Sequence, residues 1–186
     1  MMTKGGFFMD KKEKKLFKNV KSLAFCAMLT AMSVVIGIFC KSFLNFGGGL
    51  FRITLENLPI IVAGIAFGGV VGGAVGGAVD IISYLLSSQI YPPNLIVTLG
   101  AVMVGVISGV VGKRLGRSSP YKRIILSSAL AHIVGSMVIK PIGLFRFYGF
   151  LVLWRIPLYL LIAPLEIFVI CLLYKNREFR SFLDEN

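Results

Sequence analysis

The thirty residues Asn57–Leu86 read NLPIIVAGIAFGGVVGGAVGGAVDIISYLL, and they limit the fold more than any other stretch of the chain. The run is almost wholly apolar, carries ranks of glycine at four-residue spacing and holds one carboxylate, Asp80. A continuous helix from Asn57 to Ser88 would be about 48 Å long, at ~1.5 Å per residue, well beyond a hydrocarbon core of ~30 Å. The Gly68-Gly69 pair offers the natural reversal, since glycine accepts tight turns that other residues resist. Two membrane helices joined by that turn are the expected result.

The glycines have a second use. Gly64 and Gly68 close the earlier span; Gly69, Gly73 and Gly77 form one row on the later one, with Gly72 and Gly76 beside it. Small residues four apart let helix backbones touch where apolar side chains alone gain little in lipid. The ranks therefore predict a close hairpin between these two spans, and Gly105, Gly109 and Gly112 predict the same on the next. An aspartate at a helix centre costs ~2.5–3.5 kcal/mol to insert, so Asp80 should face protein and hold a partner. That partner is either a group that fixes the bundle or a ligand.

The rest of the chain follows the same pattern. Hydrophobic residues make up 56% and charged residues 15%, with a mean hydropathy of +0.86. Apolar runs and breakers give six spans, 19–40, 53–68, 70–88, 94–112, 122–144 and 151–174, in one domain: an all-α membrane bundle. A basic segment, 1–18, precedes it and a tail, 175–186, follows. The run from Val20 to Cys40 exceeds a usual signal core and lacks a small-x-small cleavage site, so it reads as a spanning helix.

The net charge of +12 suggests nucleic acid, but its placement points elsewhere. All but five of the twenty Lys and Arg residues lie in 1–21, 113–123 and the tail, each bordering an apolar run. Six crossings put those segments together on the cytoplasmic side, with both termini, under the positive-inside bias. The other five, Lys41, Arg52, Lys140, Arg146 and Arg155, fall at or near the outer face.

Polar residues recur at helical spacing near that face. His132, Ser136 and Lys140 form one stripe; Arg155, Tyr159 and Glu166 share another; Arg52 and Glu56, and Asn94 and Thr98, are four apart. Stripes of this kind on apolar spans should face one another rather than lipid. Aromatic residues, among them Tyr91, Tyr148 and Trp154, gather at the same ends; an interfacial belt accounts for most of them. Arg52, Glu56, Asp80, Tyr91, Asn94, Lys140, Arg146, Trp154 and Arg155 are the candidate ligand contacts. Cations paired with aromatics suit a small anionic ligand with a flat ring, its carboxylates matched to the guanidinium fork.

Other chemistries find less support. Cys26, Cys40 and Cys171 lack metal-ligand or CxxC spacing and read as packing residues, and no cofactor or metal site is expected. The single histidine, His132, has no HExxH neighbour and no Ser/His/Asp set, so a satisfied polar contact outranks catalysis. A small secondary transporter would show paired broken helices; Pro141, Pro157 and Pro164 lie only in the second half.

Arg52-Ile53, Leu58-Pro59-Ile60, Gly64-Ile65-Ala66-Phe67-Gly68, Gly72, Gly76 and Asp80, followed by Tyr91-Pro92-Pro93, Leu99, Gly105 and Gly109, resemble the substrate-binding S components of energy-coupling factor (ECF) vitamin transporters. The resemblance is specific over 52–112 and rests elsewhere on size and six spans; folate is the closest sub-pattern. Lys140-Pro141-Ile142-Gly143 and Trp154-Arg155-Ile156-Pro157 depart from the folate pattern, which leaves pantothenate or another small vitamin open. The resemblance implies a vitamin-capturing subunit of a prokaryotic plasma membrane that docks on a T component driven by two ATPase subunits. It also implies a docking face of small residues on the first helix, here Ala24, Ala27 and Ala31. The absence of a GxxxxGK[ST] loop agrees that energy comes from elsewhere.

Overall fold

In a computed structural model, residues 20–46, 51–86, 94–116 and 119–185 are described. The basic segment 1–18 and Tyr91 lie outside the described residues. The elements run α1 (Val20–Phe43), a short antiparallel pair β1 (Asn45–Phe46) and β2 (Phe51–Arg52), α2 (Asn57–Phe67), α3 (Gly69–Leu86) and α4 (Leu95–Arg114). Then follow α5 (Pro120–Ala131), a π segment (His132–Ile139), α6 (Lys140–Tyr148), a 3-10 stretch (Gly149–Trp154), α7 (Arg155–Leu173) and α8 (Arg177–Glu185).

Four stretches are long and apolar enough to cross a membrane: Val20–Phe43, Gly69–Leu86, Leu95–Arg114 and the 54 residues Pro120–Leu173. As one straight helix the last would be about 80 Å long, more than twice a bilayer core. It divides at Gly149, whose φ of 56° only glycine adopts freely. The helix before that break is continuous but not uniform. Pro141 has no N–H to give the carbonyl one turn back and its ring crowds that turn, and the chain widens into the π segment just ahead of it. The expected fifth span, 122–144, is thus longer at its C-terminal end than the sequence pattern gives.

α2 differs from the other long segments in being short and central. Its eleven residues are buried except Leu58, so no polar face exists to betray a helical period. The expected span 53–68 begins later, because residues up to Arg52 pair as a strand and Glu56 stands at the helix start. The turn into α3 is Gly68, with φ 98°.

Close helix contact is centred on α4. A methyl group at Gly105 would stand 2.0 Å from Gly72 O, one at Gly109 2.3 Å from Gly69 N, and one at Gly76 2.3 Å from Ala101 O. Gly64 meets both α3, at Gly72, and α4, at Ser108 and Gly105. The Gly69, Gly73 and Gly77 row faces Val102, Val106 and Val110 of α4 rather than α2. The glycine ranks therefore join three helices, where sequence spacing predicted a two-helix hairpin. Gly112 meets only ordinary contacts, the nearest at 3.6 Å.

The tail forms α8, which packs against α2 at the end opposite the strands. Leu183 is 2% exposed and Phe179, one turn earlier, packs on the core, while Arg180 lies 5.7 Å over the Tyr174 ring. Burying a charge there has no compensation. Leu183→Asp is expected to cost about 2–3 kcal/mol, measured as a lower thermal midpoint of the purified protein.

Candidate functional site

The ends of the helices that lie near residues 41, 56, 83, 94, 140 and 155 meet, and polar contacts among the described residues join them there. Lys41 Nζ donates to Ser83 O at 3.3 Å, joining α1 to α3. Asn94 caps α4, its Oδ1 accepting from the Ile96 N–H at 3.0 Å, and its Nδ2 donates to Gly143 O on α6. Helices that alternate in direction bring these ends together; sequence alternation and antiparallel turns require it.

The deepest part of this end is a buried charged cluster. Lys140 is 5% exposed; its Nζ donates to Asn57 Oδ1 at 3.0 Å and lies 3.7 Å from Glu56 Oε1. Asn57 Nδ2 reaches Ser136 Oγ at 3.5 Å, and Ser33 Oγ on α1 donates to the Glu56 carbonyl. Thr54 Oγ1 is 3.5 Å from the Tyr159 hydroxyl on α7. A lysine this buried is stabilised only by a counter-charge and by acceptors for its protons. Glu56 and Asn57 supply them, so the cluster is close to neutral as a unit.

A second polar set lies beside it. Thr98 Oγ1 donates to Asp80 Oδ2 at 2.7 Å and also approaches Asn94 O at 3.3 Å. Asp80 is half-buried and does face a protein partner, as a mid-span carboxylate must. Around the Gly149 break, Arg146 is exposed, Arg155 is half-buried with its guanidinium 5.8 Å from the Tyr148 ring centre, and Trp154 is 60% exposed.

The structure thus gathers Glu56 with Lys140 and Asp80 with Asn94 through Thr98, while Arg146, Trp154 and Arg155 lie around the Gly149 break between α6 and α7. Arg52 stands on β2, its backbone paired with Asn45, so its four-residue spacing to Glu56 is not helical. The stripe Arg155, Tyr159 and Glu166 resolves into three separate partnerships, with Tyr148, Thr54 and His132. His132 Nε2 lies 2.8 Å from Glu166 Oε2, both side chains 0% exposed, deeper in the bundle. Asn57, Thr54 and Ser33 escape the spacing argument. Each is a lone polar residue in or beside an apolar helix, and that isolation is the only signal they give.

The opposite end carries the basic residues. Arg123 Nη2 donates to Ile65 O at 2.8 Å near the end of α2, and Tyr121 packs edge-on to Tyr174. On the flank of α1, Ala24, Ala27 and Ala31 are exposed, and Ala27 borders an apolar groove of about 240 Å³ between α1 and α3, lined also by Cys26, Thr30, Val71 and Val75. The groove lies apart from the charged cluster.

Comparison with known proteins sets these features in a family. The fold matches the crystal structure of FolT bound with folic acid with a TM-score of 0.63 and 23% identity, over 81% of this chain and 90% of that one. A Mycoplasma pneumoniae protein described as an uncharacterized MG098 homolog is 26% identical over 111 residues, 60% of this chain. The matched part covers 20% of that protein, so the chain spans about a fifth of its length. Residues 21–181 match the family described as the ECF transporter, substrate-specific component. The chain belongs to that family of transporter substrate-binding subunits, which are membrane proteins and not enzymes.

Proposed function

We propose that this chain captures a vitamin, folate, at the outer face of a prokaryotic plasma membrane and delivers it through a T component powered by two ATPase subunits. In this reading the bundle crosses six times with both termini in the cytoplasm, and the end bearing Lys140 and Arg155 faces outward. Family membership and a fold shared with a folate-bound protein support it. The observation that carries it is the charged cluster of Lys140, Glu56 and Asn57, buried in a largely apolar bundle.

That cluster also orients the ligand. Lys140 is already matched by Glu56 and Asn57, so the floor favours a neutral ring with hydrogen-bonding edges rather than a second carboxylate. Carboxylates belong at the rim, with Arg146 and Arg155. Folate has both parts. Asp80, Asn94 and, outside the described residues, Tyr91 complete the proposed contacts, with Arg52 and Trp154.

The test is uptake of labelled folate into proteoliposomes. Uptake that requires ATP, a T component and the ATPase subunits supports the reading; uptake by this chain alone makes it a self-sufficient secondary transporter instead. Transport of pantothenate in place of folate would reassign the vitamin.

The exposed face of Ala24, Ala27 and Ala31 is the proposed contact for the T component, since small residues let a partner helix approach closely. Ala27→Trp should cut coupled uptake about tenfold while leaving folate affinity within about twofold, because shape mismatch at a packed helix contact is costly. Parallel uptake and binding assays check it. Equal loss of both would remove the alanine face from the proposal.

A further inference from the structure

Two helical glycines outside the close-contact ranks lie against the Lys140–Glu56 pair, one on each partner. On α1, a methyl group at Gly37 would stand 2.7 Å from Glu56 Oε2 and 3.5 Å from Glu56 Cβ. On α4, a methyl group at Gly100 would stand 2.7 Å from Lys140 Cγ and 3.1 Å from Gly135 O. Both glycines are buried in helix interiors, where glycine weakens a helix relative to alanine. Neither needs glycine for its backbone, since among the described residues positive φ occurs only at Gly68 and Gly149. What excludes a side chain is the charged pair at Gly37, and the pair together with the Gly135 carbonyl at Gly100.

We infer that Gly37 and Gly100 are positioning residues: the space left by their missing side chains holds the Glu56 carboxylate and the Lys140 stem in register, and so sets the floor of the ligand niche. The consequence for ligand affinity rests on the folate reading above. The two positions differ in what a methyl group would move. At Gly37 the obstacle is the tip of a flexible side chain, so the carboxylate must leave its present place beside Lys140 while the helices stay put. At Gly100 the obstacles are the root of the Lys140 side chain and a backbone carbonyl, so the π segment itself must shift. Gly37 is therefore the cleaner position to test.

Aspartate at position 56 is one methylene shorter and withdraws the carboxylate from the space a methyl group would take. The experiment uses the purified full chain as wild type, Gly37→Ala, Glu56→Asp and the double variant. Folate affinity is measured by calorimetry, and thermal midpoints are measured without ligand. Gly37→Ala should weaken folate binding about tenfold while the protein still unfolds cooperatively. Glu56→Asp should weaken it as well, and the double variant should be no weaker than Gly37→Ala alone, because the two changes act on one contact. The midpoints should show the same failure of additivity. Wild-type affinity in Gly37→Ala, or effects that multiply in affinity and add in midpoint, would overturn the inference. If the wild type does not bind folate, the ligand reading falls, and the ligand-free midpoints alone decide for or against the positioning role.

Discussion

Gly105→Ala is expected to abolish the folded bundle, the largest single-residue effect in the chain. The added methyl group would meet Gly72 O at 2.0 Å, Gly72 C at 2.2 Å and Gly73 N at 2.7 Å. All three are backbone atoms, so no side chain can swing aside and α3 must separate from α4. Separation is not local. Gly64 of α2 rests on the same contact, with Gly105 O 2.6 Å from where its methyl group would lie. Overpacking typically costs ~1–3 kcal/mol and more where nothing yields, and a cost above about 3 kcal/mol takes much of the stability of a small bundle. Size-exclusion chromatography after detergent extraction should show aggregate in place of a single species. Gly112→Ala is the control: its methyl group finds atoms no closer than 3.6 Å, and the variant should elute and melt as wild type.

The second large effect concerns His132 and Glu166. Both side chains are fully buried between the π segment and α7, 2.8 Å apart. Beyond that contact, His132 Nδ1 and Glu166 Oε1 have no hydrogen-bond partner among the described residues. Two such groups in an apolar interior depend on each other for nearly all their compensation. Removing one partner of a buried pair costs about 3–5 kcal/mol, whereas replacing both by apolar residues of similar size is often neutral or favourable. His132→Leu alone should therefore lower the thermal midpoint sharply, and His132→Leu with Glu166→Met should recover most of the loss. An additive double variant would show that the two residues do not act as a pair.

Parts of this architecture are legible in the sequence, and the limits are physical. Long apolar runs separated by Gly68-Gly69 and basic loops predict the helical segments, because lipid forces every backbone group into a helix. Asp80 predicts its own partner for the same reason. Spacing, however, gives only the face a residue occupies, not what faces it. Lys140 finds Asn57 across 83 residues of sequence, and Glu166 leaves its stripe-mates Arg155 and Tyr159 for His132. The Gly69, Gly73 and Gly77 row is visible as a row, but its choice of α4 over the adjacent α2 depends on three-helix packing. Pro141 suggests an interruption and produces a widened turn instead, since the neighbouring helices hold the axis. In α8 the signal was there to read: Phe179 and Leu183 are four apart in a polar tail, which marks an apolar stripe seeking a surface.

The proposed niche draws on these elements: a floor of Lys140, Glu56 and Asn57, with Arg146 and Arg155 as its proposed rim. The most direct test is calorimetric titration of the purified full chain with folate, wild type beside Arg155→Ala. The account predicts saturable one-to-one binding by the wild type and an affinity at least about tenfold weaker in the variant, the size of a lost charge-assisted contact. No binding heat from a wild-type protein that melts cooperatively, or equal affinity in the two proteins, would contradict it.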